Sequence, residues 1–191
     1  DERGYIYGAG SVMRKSIYNL LMSSDYQLIL KGRIGKSLVA GEDAERCQVF
    51  RLLGYKLWYD PLLEFQHHMP ASRITWKYTC ILYNSFGRAS VYHDLYSEIQ
   101  DKKKGIPAFV AQNTFLDIIN KIRTLFIALP AYLIVILTGS GEGRRAVVNY
   151  NYWYGRLIES IVNMSAINKY REQIKKAAWR KNMLRTEITD K

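Results

Sequence analysis

The stretch GEDAERCQVFRLLGYKLWYDP, residues 41–61, decides how the first half of the chain is interpreted. Two carboxylates, Glu42 and Asp43, directly follow a glycine, and acids in a first turn suit the positive end of a helix. Apolar residues then recur at helical spacing until Gly54, which is well placed to end the helix. Residues 55–59, YKLWY, alternate as a strand does. The order predicts helix, turn and strand, and therefore an α/β fold.

The rest of the first hundred residues predicts a similar mixture of short elements. At 5–15 we expect a short strand, a glycine-bracketed bend and then a strand or helix start. We further expect a helix at 16–30, a basic loop at 31–37, an extended run at 62–68 and an aromatic-rich helix at 72–99. The charge run DKKKG then interrupts the pattern, so a domain boundary is placed there. Residues 1–100 form the first predicted domain and residues 101–191 the second, an all-helical tail.

Charge and hydropathy change across that boundary. The first hundred residues contain 12 Lys+Arg and 10 Asp+Glu, a net charge of +2, whereas the remainder contains 16 and 7, a net charge of +9. The second half also holds 18 consecutive uncharged residues at 124–141, with Pro130 among them, and a basic amphipathic helix or helix pair at 151–184. Such a tail suggests an anionic partner, either lipid headgroups or nucleic acid.

The apolar run at 124–141 favours lipid over nucleic acid, because an RNA-binding protein has no use for it. A bilayer span needs ~20 mainly apolar residues, so the run is borderline in length. Basic residues flank it on both sides, which opposes a single crossing under the positive-inside tendency. A kinked re-entrant or interfacial hairpin would leave both flanks on the cytoplasmic side. The alternative is a buried core helix or a dimer helix.

The two cysteines, Cys47 and Cys80, fit neither a metal-ligand spacing nor a disulfide framework. We expect them to be buried free thiols in a reducing compartment.

Three segments, in order and at characteristic spacing, resemble a known enzyme family. GAGSVMRKS, then GEDAERCQVFRLLGYKLWYDP, then FQHHMP, within residues 5–70, resemble the C-terminal half of a family 2 glycosyltransferase catalytic domain. The continuation SRITWKY…FGR and the basic apolar tail are similar to bacterial membrane-associated members. The resemblance implies a partial nucleotide-diphospho-sugar transferase sheet, and inverting transfer of a sugar to an acceptor hydroxyl for cell-surface polysaccharide or glycolipid synthesis.

The resemblance also implies roles for two acids. Inversion needs one base that takes the proton from the acceptor hydroxyl, and that base would be Asp43, with Glu42 beside it. A helix N-terminus favours the negative charge that this role requires. The alternative is that both acids only cap their helix.

Further residues match the family in their positions. The turn Gly8, Ala9 and Gly10 would let the backbone approach a substrate closely, although a plain tight turn explains it equally. Arg14 would lie near phosphate, or else be a solvated surface arginine. His67 would help to bind a metal or the leaving diphosphate, unless it is structural or exposed. Arg73 and Trp76 resemble the Gln-x-x-Arg-Trp element of processive members. The Gln of that element is missing here and the Arg–Trp spacing differs, so no polymerising enzyme is inferred. An interfacial helix with an aromatic anchor explains the two residues as well.

The family holds its nucleotide-sugar donor and Mg²⁺ or Mn²⁺ on an N-terminal half with an Asp-x-Asp element, and this sequence contains no Asp-x-Asp. We therefore expect a fragment that is inactive alone, with an exposed sheet edge where the nucleotide half would pack. The expected partners are a nucleotide-sugar, a saccharide or lipid-linked acceptor and an anionic membrane surface, at the cytoplasmic face of the bacterial inner membrane, with no nucleic acid. The competing interpretations are a non-enzymatic basic membrane-peripheral or nucleic-acid-binding protein, and a truncated relic.

Overall fold

The computed structural model describes residues 5–24, 26–32, 40–103, 114–139 and 141–177, and over these residues it contains helices but no strand. The elements in chain order are α1 (Lys15–Met22), α2 (Glu42–Leu52), a 3₁₀ turn (Ala71–Arg73), α3 (Trp76–Lys103), α4 (Thr114–Leu137), α5 (Arg145–Val162) and α6 (Met164–Lys176). The predicted α/β class with a partial transferase sheet is therefore wrong, and so is the exposed sheet edge.

The predicted strands at 5–15 and 55–59 are irregular segments in the structure, as is the extended run at 62–68. An alternating pattern describes one face of a strand, but a strand exists only when a second segment supplies the ladder of backbone hydrogen bonds. No described segment lies beside 55–59 in that way. As a result Trp58 and Tyr59 are 84% and 75% exposed.

The predicted helix in the opening stretch is confirmed as α2. It starts at Gly41, whose φ of 128° few other residues tolerate, and Gly54 follows its end at φ 89°. The helix expected at 16–30 is shorter than predicted, since α1 ends at Met22. Residues 26–30 instead run along α2, where the backbone amides of Ile29 and Leu30 are bound by a carboxylate of that helix.

The long helix α3 is the centre of the molecule, and it confirms the helix predicted at 72–99. One side of α3 packs on α2 and residues 26–30 to form the main hydrophobic core, to which α6 adds Ile167 and Ile174. The other side packs on α5. Contacts pair residue 84 with 151 and residue 92 with 159, so α3 and α5 run parallel. The long predicted aromatic helix is therefore buried on two faces.

α4 packs chiefly on α5 and forms the outer layer of the tail. Lys121 of α4 donates to Ser160 of α5, while Tyr132 of α4 stacks on Tyr150 of α5 with 4.1 Å between ring centroids, so these two helices are antiparallel. Pro130 lies inside α4. The layers are thus α4, α5 and α3 in that order.

Two glycines allow α3 and α5 to approach closely. A Cβ on Gly87 would lie 2.8 Å from the carbonyl carbon of Tyr152, and a Cβ on Gly155 would lie 2.9 Å from that of Asn84. Neither space admits a methyl group. Around this crossing, the Arg156 side chain pairs with Asp94 and donates to the Ser90 hydroxyl at 2.9 Å. The crossing is therefore fixed by backbone contact and flanked by polar side-chain contacts.

The amphipathic segment predicted at 151–184 is a helix pair over its described part, because α5 ends and α6 begins around Asn163. Residues 178–184 lie outside the described residues. α3 continues through residues 100 and 101. The domain boundary placed between these two residues stays a prediction.

Candidate functional site

The structure brings the Gly8–Gly10 turn to the Glu-Asp pair of α2, although 35 residues separate Gly8 from Asp43. The Gly8 amide donates to Oδ2 of Asp43 at 2.8 Å, and the Ala44 amide donates to Oδ1 at 2.8 Å. A Cβ on Gly8 would lie 3.3 Å from the Asp43 Cβ, a tight contact that the absence of a side chain at Gly8 relieves. Asp43 is half-buried at the helix N-terminus.

Glu42 faces a different part of the backbone. Its Oε2 accepts a hydrogen bond from the Gly41 amide at 3.1 Å, and its carboxyl carbon would be 2.9 Å from a Cβ on Gly32. The two neighbouring acids therefore differ in their surroundings. Asp43 binds the glycine turn, whereas Glu42 lies against Gly32 and Gly41.

The third predicted segment, FQHHMP, also reaches the turn. The Phe65 ring lies under Gly10, where a Cβ would be 2.7 Å from Cε1 of the ring, and Gly10 has a φ of 73°. The ring centroids of Phe65 and His67 are 6.1 Å apart. Three segments that are distant in the sequence therefore meet around the Gly8–Gly10 turn, which is itself closed by the Ser11 hydroxyl donating to the Gly8 carbonyl at 2.8 Å.

The remaining predicted substrate-binding residues lie elsewhere. Ala9 is exposed at the middle of the turn. Arg14 is exposed just before α1, where its carbonyl accepts the amides of Ile17 and Tyr18. Arg73 is exposed in the 3₁₀ turn and Trp76 is half-buried at the start of α3; neither has a hydrogen bond or ion pair to Asp43 within the described residues. Their roles stay predictions.

His67 and its neighbour His68 are exposed, and no group of three or more His, Cys, Asp or Glu side chains suited to a metal occurs in the described part of the chain. Mg²⁺ and Mn²⁺ prefer several oxygen ligands, so a single histidine would not hold either ion by itself. The metal role of His67 stays a prediction.

Both cysteine side chains are free thiols. Cys47 is buried beside the Ile6 carbonyl and Cys80 is half-buried, and burial raises the pKa of each thiol above its ordinary value. The prediction of buried free thiols is confirmed for Cys47 and holds in part for Cys80.

Glu45, the third acid in the first turn of α2, has a structural role that the sequence analysis did not identify. It is fully buried, and its carboxylate accepts the amides of Ile29 at 2.9 Å and Leu30 at 2.8 Å and the Tyr96 hydroxyl at 2.6 Å. Burial raises its pKa, and the hydrogen bonds oppose that shift. One available signal was its spacing to Val49 and Leu52, which puts it on the core-facing side of α2.

His93 on α3 was also missed, and it lies behind the site. Its Nδ1 is 3.2 Å from Oε1 of Gln48, and its Nε2 would be 2.9 Å from a Cβ on Gly41. Burial lowers the pKa of His93 to about 4, opposed by the negative charge of Asp43. A neutral imidazole therefore fills the space beneath the residue that starts α2. The sequence contains no spacing that connects residue 93 with residue 41.

Comparison of the chain with protein-family models, with curated proteins and with solved structures returns no match. The arguments about function consequently rest on the geometry around Asp43 and on the surface of the helical tail.

Proposed function

We propose that residues 5–70 form the acceptor side of an inverting glycosyltransferase and that Asp43 is its general base. The observation that carries the proposal is the hydrogen bond between the Gly8 amide and Asp43 Oδ2. It joins two of the three segments that resemble the family, and Phe65 joins the third to the same turn. A pair of acids that only capped its helix would not require a hydrogen bond with a turn 35 residues away.

The geometry suits proton transfer from a hydroxyl group. Each carboxylate oxygen of Asp43 has two lone pairs, and one backbone N–H is bound to each oxygen, so each oxygen keeps the capacity to accept from an acceptor hydroxyl in this scheme. The backbone donors fix the orientation of the carboxylate. The hydroxyl oxygen attacks the anomeric carbon as its proton passes to Asp43, and the bond to the nucleoside diphosphate breaks on the opposite face.

The proposal assigns donor binding to a separate nucleotide-binding unit, which would also hold Mg²⁺ or Mn²⁺. The donor is a nucleotide-sugar and the acceptor is a saccharide or a lipid-linked saccharide, used in cell-surface polysaccharide or glycolipid synthesis. The exposed Gly8–Gly10 turn is the surface over which the acceptor would approach. Glu42 lies against Gly32 and Gly41 and touches no substrate in this scheme.

The test is sugar transfer by membranes from cells that express the whole reading frame containing these residues. Radiolabelled UDP-, dTDP- and GDP-sugars are supplied, and label in lipid-linked or polymeric product is counted. We expect Asp43→Asn to lower the rate by about 10²–10⁴, the usual contribution of a general base. Asn keeps an oxygen for the Gly8 amide, so the thermal unfolding midpoint of the variant should change little.

Asp60→Asn is the matched control. Asp60 accepts the Leu62 amide through Oδ1, a contact that Asn retains, and it is given no catalytic or substrate-binding role. Its transfer rate should stay within about twofold of the original. The proposal fails if no donor in the panel is consumed, or if the Asp43→Asn and Asp60→Asn proteins transfer equally well. The isolated 191-residue chain should show no transfer.

A further inference from the structure

The outer face of α4, which does not pack on α5, is mostly apolar. Seven large apolar side chains in the middle and second half of α4 are between 38% and 83% exposed: Ile122, Phe126, Ile127, Leu133, Ile134, Ile136 and Leu137. Over Leu116–Leu137 the mean hydropathy is 1.6, and only 11% of that stretch is buried within the chain. A helix from the core of a soluble protein would be mostly buried, so this surface needs a cover that the described residues do not provide.

Basic residues lie next to the apolar surface. Arg123 is exposed on α4 itself, and Arg144 and Arg145 are exposed where the chain enters α5. The sequence as a whole carries a net charge of +11. An apolar helix face bordered by arginines is complementary to an anionic bilayer surface, which combines hydrocarbon with negative headgroups.

The packing of α4 opposes a transmembrane orientation. The uncharged part of the helix, residues 124–137, is about 21 Å long at 1.5 Å per residue, whereas the hydrocarbon core is ~30 Å thick. α5 runs antiparallel along α4, so a crossing α4 would draw Arg144, Arg145 and the exposed Asn149 of α5 toward the hydrocarbon. A helix that lies along the interface avoids both costs.

We propose that the outer face of α4 binds the surface of an anionic bilayer, with the helix axis parallel to the membrane plane. The apolar side chains enter the region between headgroups and acyl chains, and the arginines at its border bind lipid phosphates. α5 and α3 then form the second and third layers above the membrane. This proposal does not depend on the proposed catalytic role of Asp43.

Flotation of the 191-residue chain with vesicles tests the binding. Phosphatidylcholine vesicles with and without phosphatidylglycerol are compared at low and high salt. We expect binding to the anionic vesicles that weakens as salt is raised, because exposed charges are screened. The triple variant Phe126→Gln, Ile134→Gln, Leu137→Gln should lose affinity by roughly 100-fold, since three apolar side chains no longer leave water.

The control is the double variant Trp58→Gln, Leu62→Gln, which changes two residues that are 84% and 88% exposed outside α4. Its affinity should stay within about threefold of the original. Arg144→Gln with Arg145→Gln should remove most of the preference for phosphatidylglycerol. Circular dichroism checks that each variant keeps its helix content; all substituted side chains are exposed or half-exposed, so folding should survive.

Spin labels measure the orientation. Cysteines are introduced singly at Ile127 and Ile134, in a chain with Cys47→Ala and Cys80→Ser, and bilayer depth is read from oxygen and nickel accessibility. The two positions lie on one face of α4, about 10 Å apart along the axis. Equal depths support the in-plane helix. Depths that differ by about 10 Å indicate a crossing helix and overturn the proposal.

Two other occupants of the surface give different results. If a second copy of the chain covers α4, sedimentation will show a dimer that the triple variant converts to a monomer, and vesicles will not bind. If the basic tail binds nucleic acid, a labelled RNA will bind and vesicles will not. Either result overturns the proposal.

Discussion

The two sides of α3 are held by different kinds of contact. On the side of α5, Gly87 and Gly155 bring two backbones together and leave no room for a side chain. On the side of α2, a buried carboxylate, two hydroxyls and two backbone amides connect three segments of the chain. The contact between α3 and α5 depends on two positions that have no side chain. The contact between α3 and α2 depends on the carboxylate of Glu45. The candidate site lies on the second side, where single side chains determine the geometry.

The largest expected effect is on the α5 side. Gly87→Ala adds a methyl group that would overlap the backbone of Tyr152, so the two helices must separate or shift. In an ordinary exposed helix the same change stabilises by about 1 kcal/mol, because alanine is the better helix former. Here we expect a loss of roughly 5 kcal/mol in the free energy of unfolding, above the usual range for overpacking because the obstacle is backbone. Urea denaturation followed by circular dichroism measures it.

Gly141→Ala is the control for that substitution. Gly141 has no left-handed φ, and a Cβ there would lie 3.3 Å from the flexible end of Ile136. Its effect should stay below about 1 kcal/mol. Equal stabilities of the two variants would mean that the α3–α5 contact is looser than the structure shows.

The second effect concerns the buried carboxylate on the α2 side. Glu45→Ala leaves the amides of Ile29 and Leu30 and the Tyr96 hydroxyl without an acceptor in a buried place. We expect the free energy of unfolding to fall by about 3–4 kcal/mol, since each unsatisfied buried donor costs ~1–3 kcal/mol and water enters to satisfy some of them. Tyr96→Phe removes one donor and should cost less than half as much. A loss at Glu45 no larger than at Tyr96 would contradict the assigned role.

The contrast between the two sides also explains how much the sequence could predict. The helical segments α2, α3 and the α5–α6 pair follow from apolar periodicity and capping glycines, which are local properties. The family resemblance gave Gly8 and Asp43 separate roles in one substrate site, and no pattern in the sequence predicted the hydrogen bond between them. The role of Glu45 depends on residues 26–30 and 96 meeting around it, which no local pattern specifies. The strand predictions at 5–15 and 55–59 were wrong for the same reason. A strand needs a partner segment, and the alternating pattern of one segment does not specify which segment will pair with it.

The smallest effect, and the one closest to the candidate site, is the pH dependence that His93 gives to stability. Its pKa is about 4 in the folded chain, against an ordinary value of 6.5, because burial disfavours the charged imidazole. The unfolded chain therefore binds a proton more readily than the folded chain between these two values. The contribution of the neutral imidazole is fully present above pH 6.5 and is lost as the pH falls toward 4.

A double difference isolates this contribution from the carboxylates that titrate in the same range. The free energy of unfolding of the original chain minus that of His93→Gln is measured from pH 7.5 to pH 4. We expect this difference to fall by about 2 kcal/mol across that range. The two pKa values set an upper limit of roughly 3 kcal/mol. If the His93 difference is flat, the imidazole is hydrated. Gly41 and the start of α2 then lack the packed neighbour that distinguishes this side of α3, and the orientation of Asp43 depends on the amides of Gly8 and Ala44.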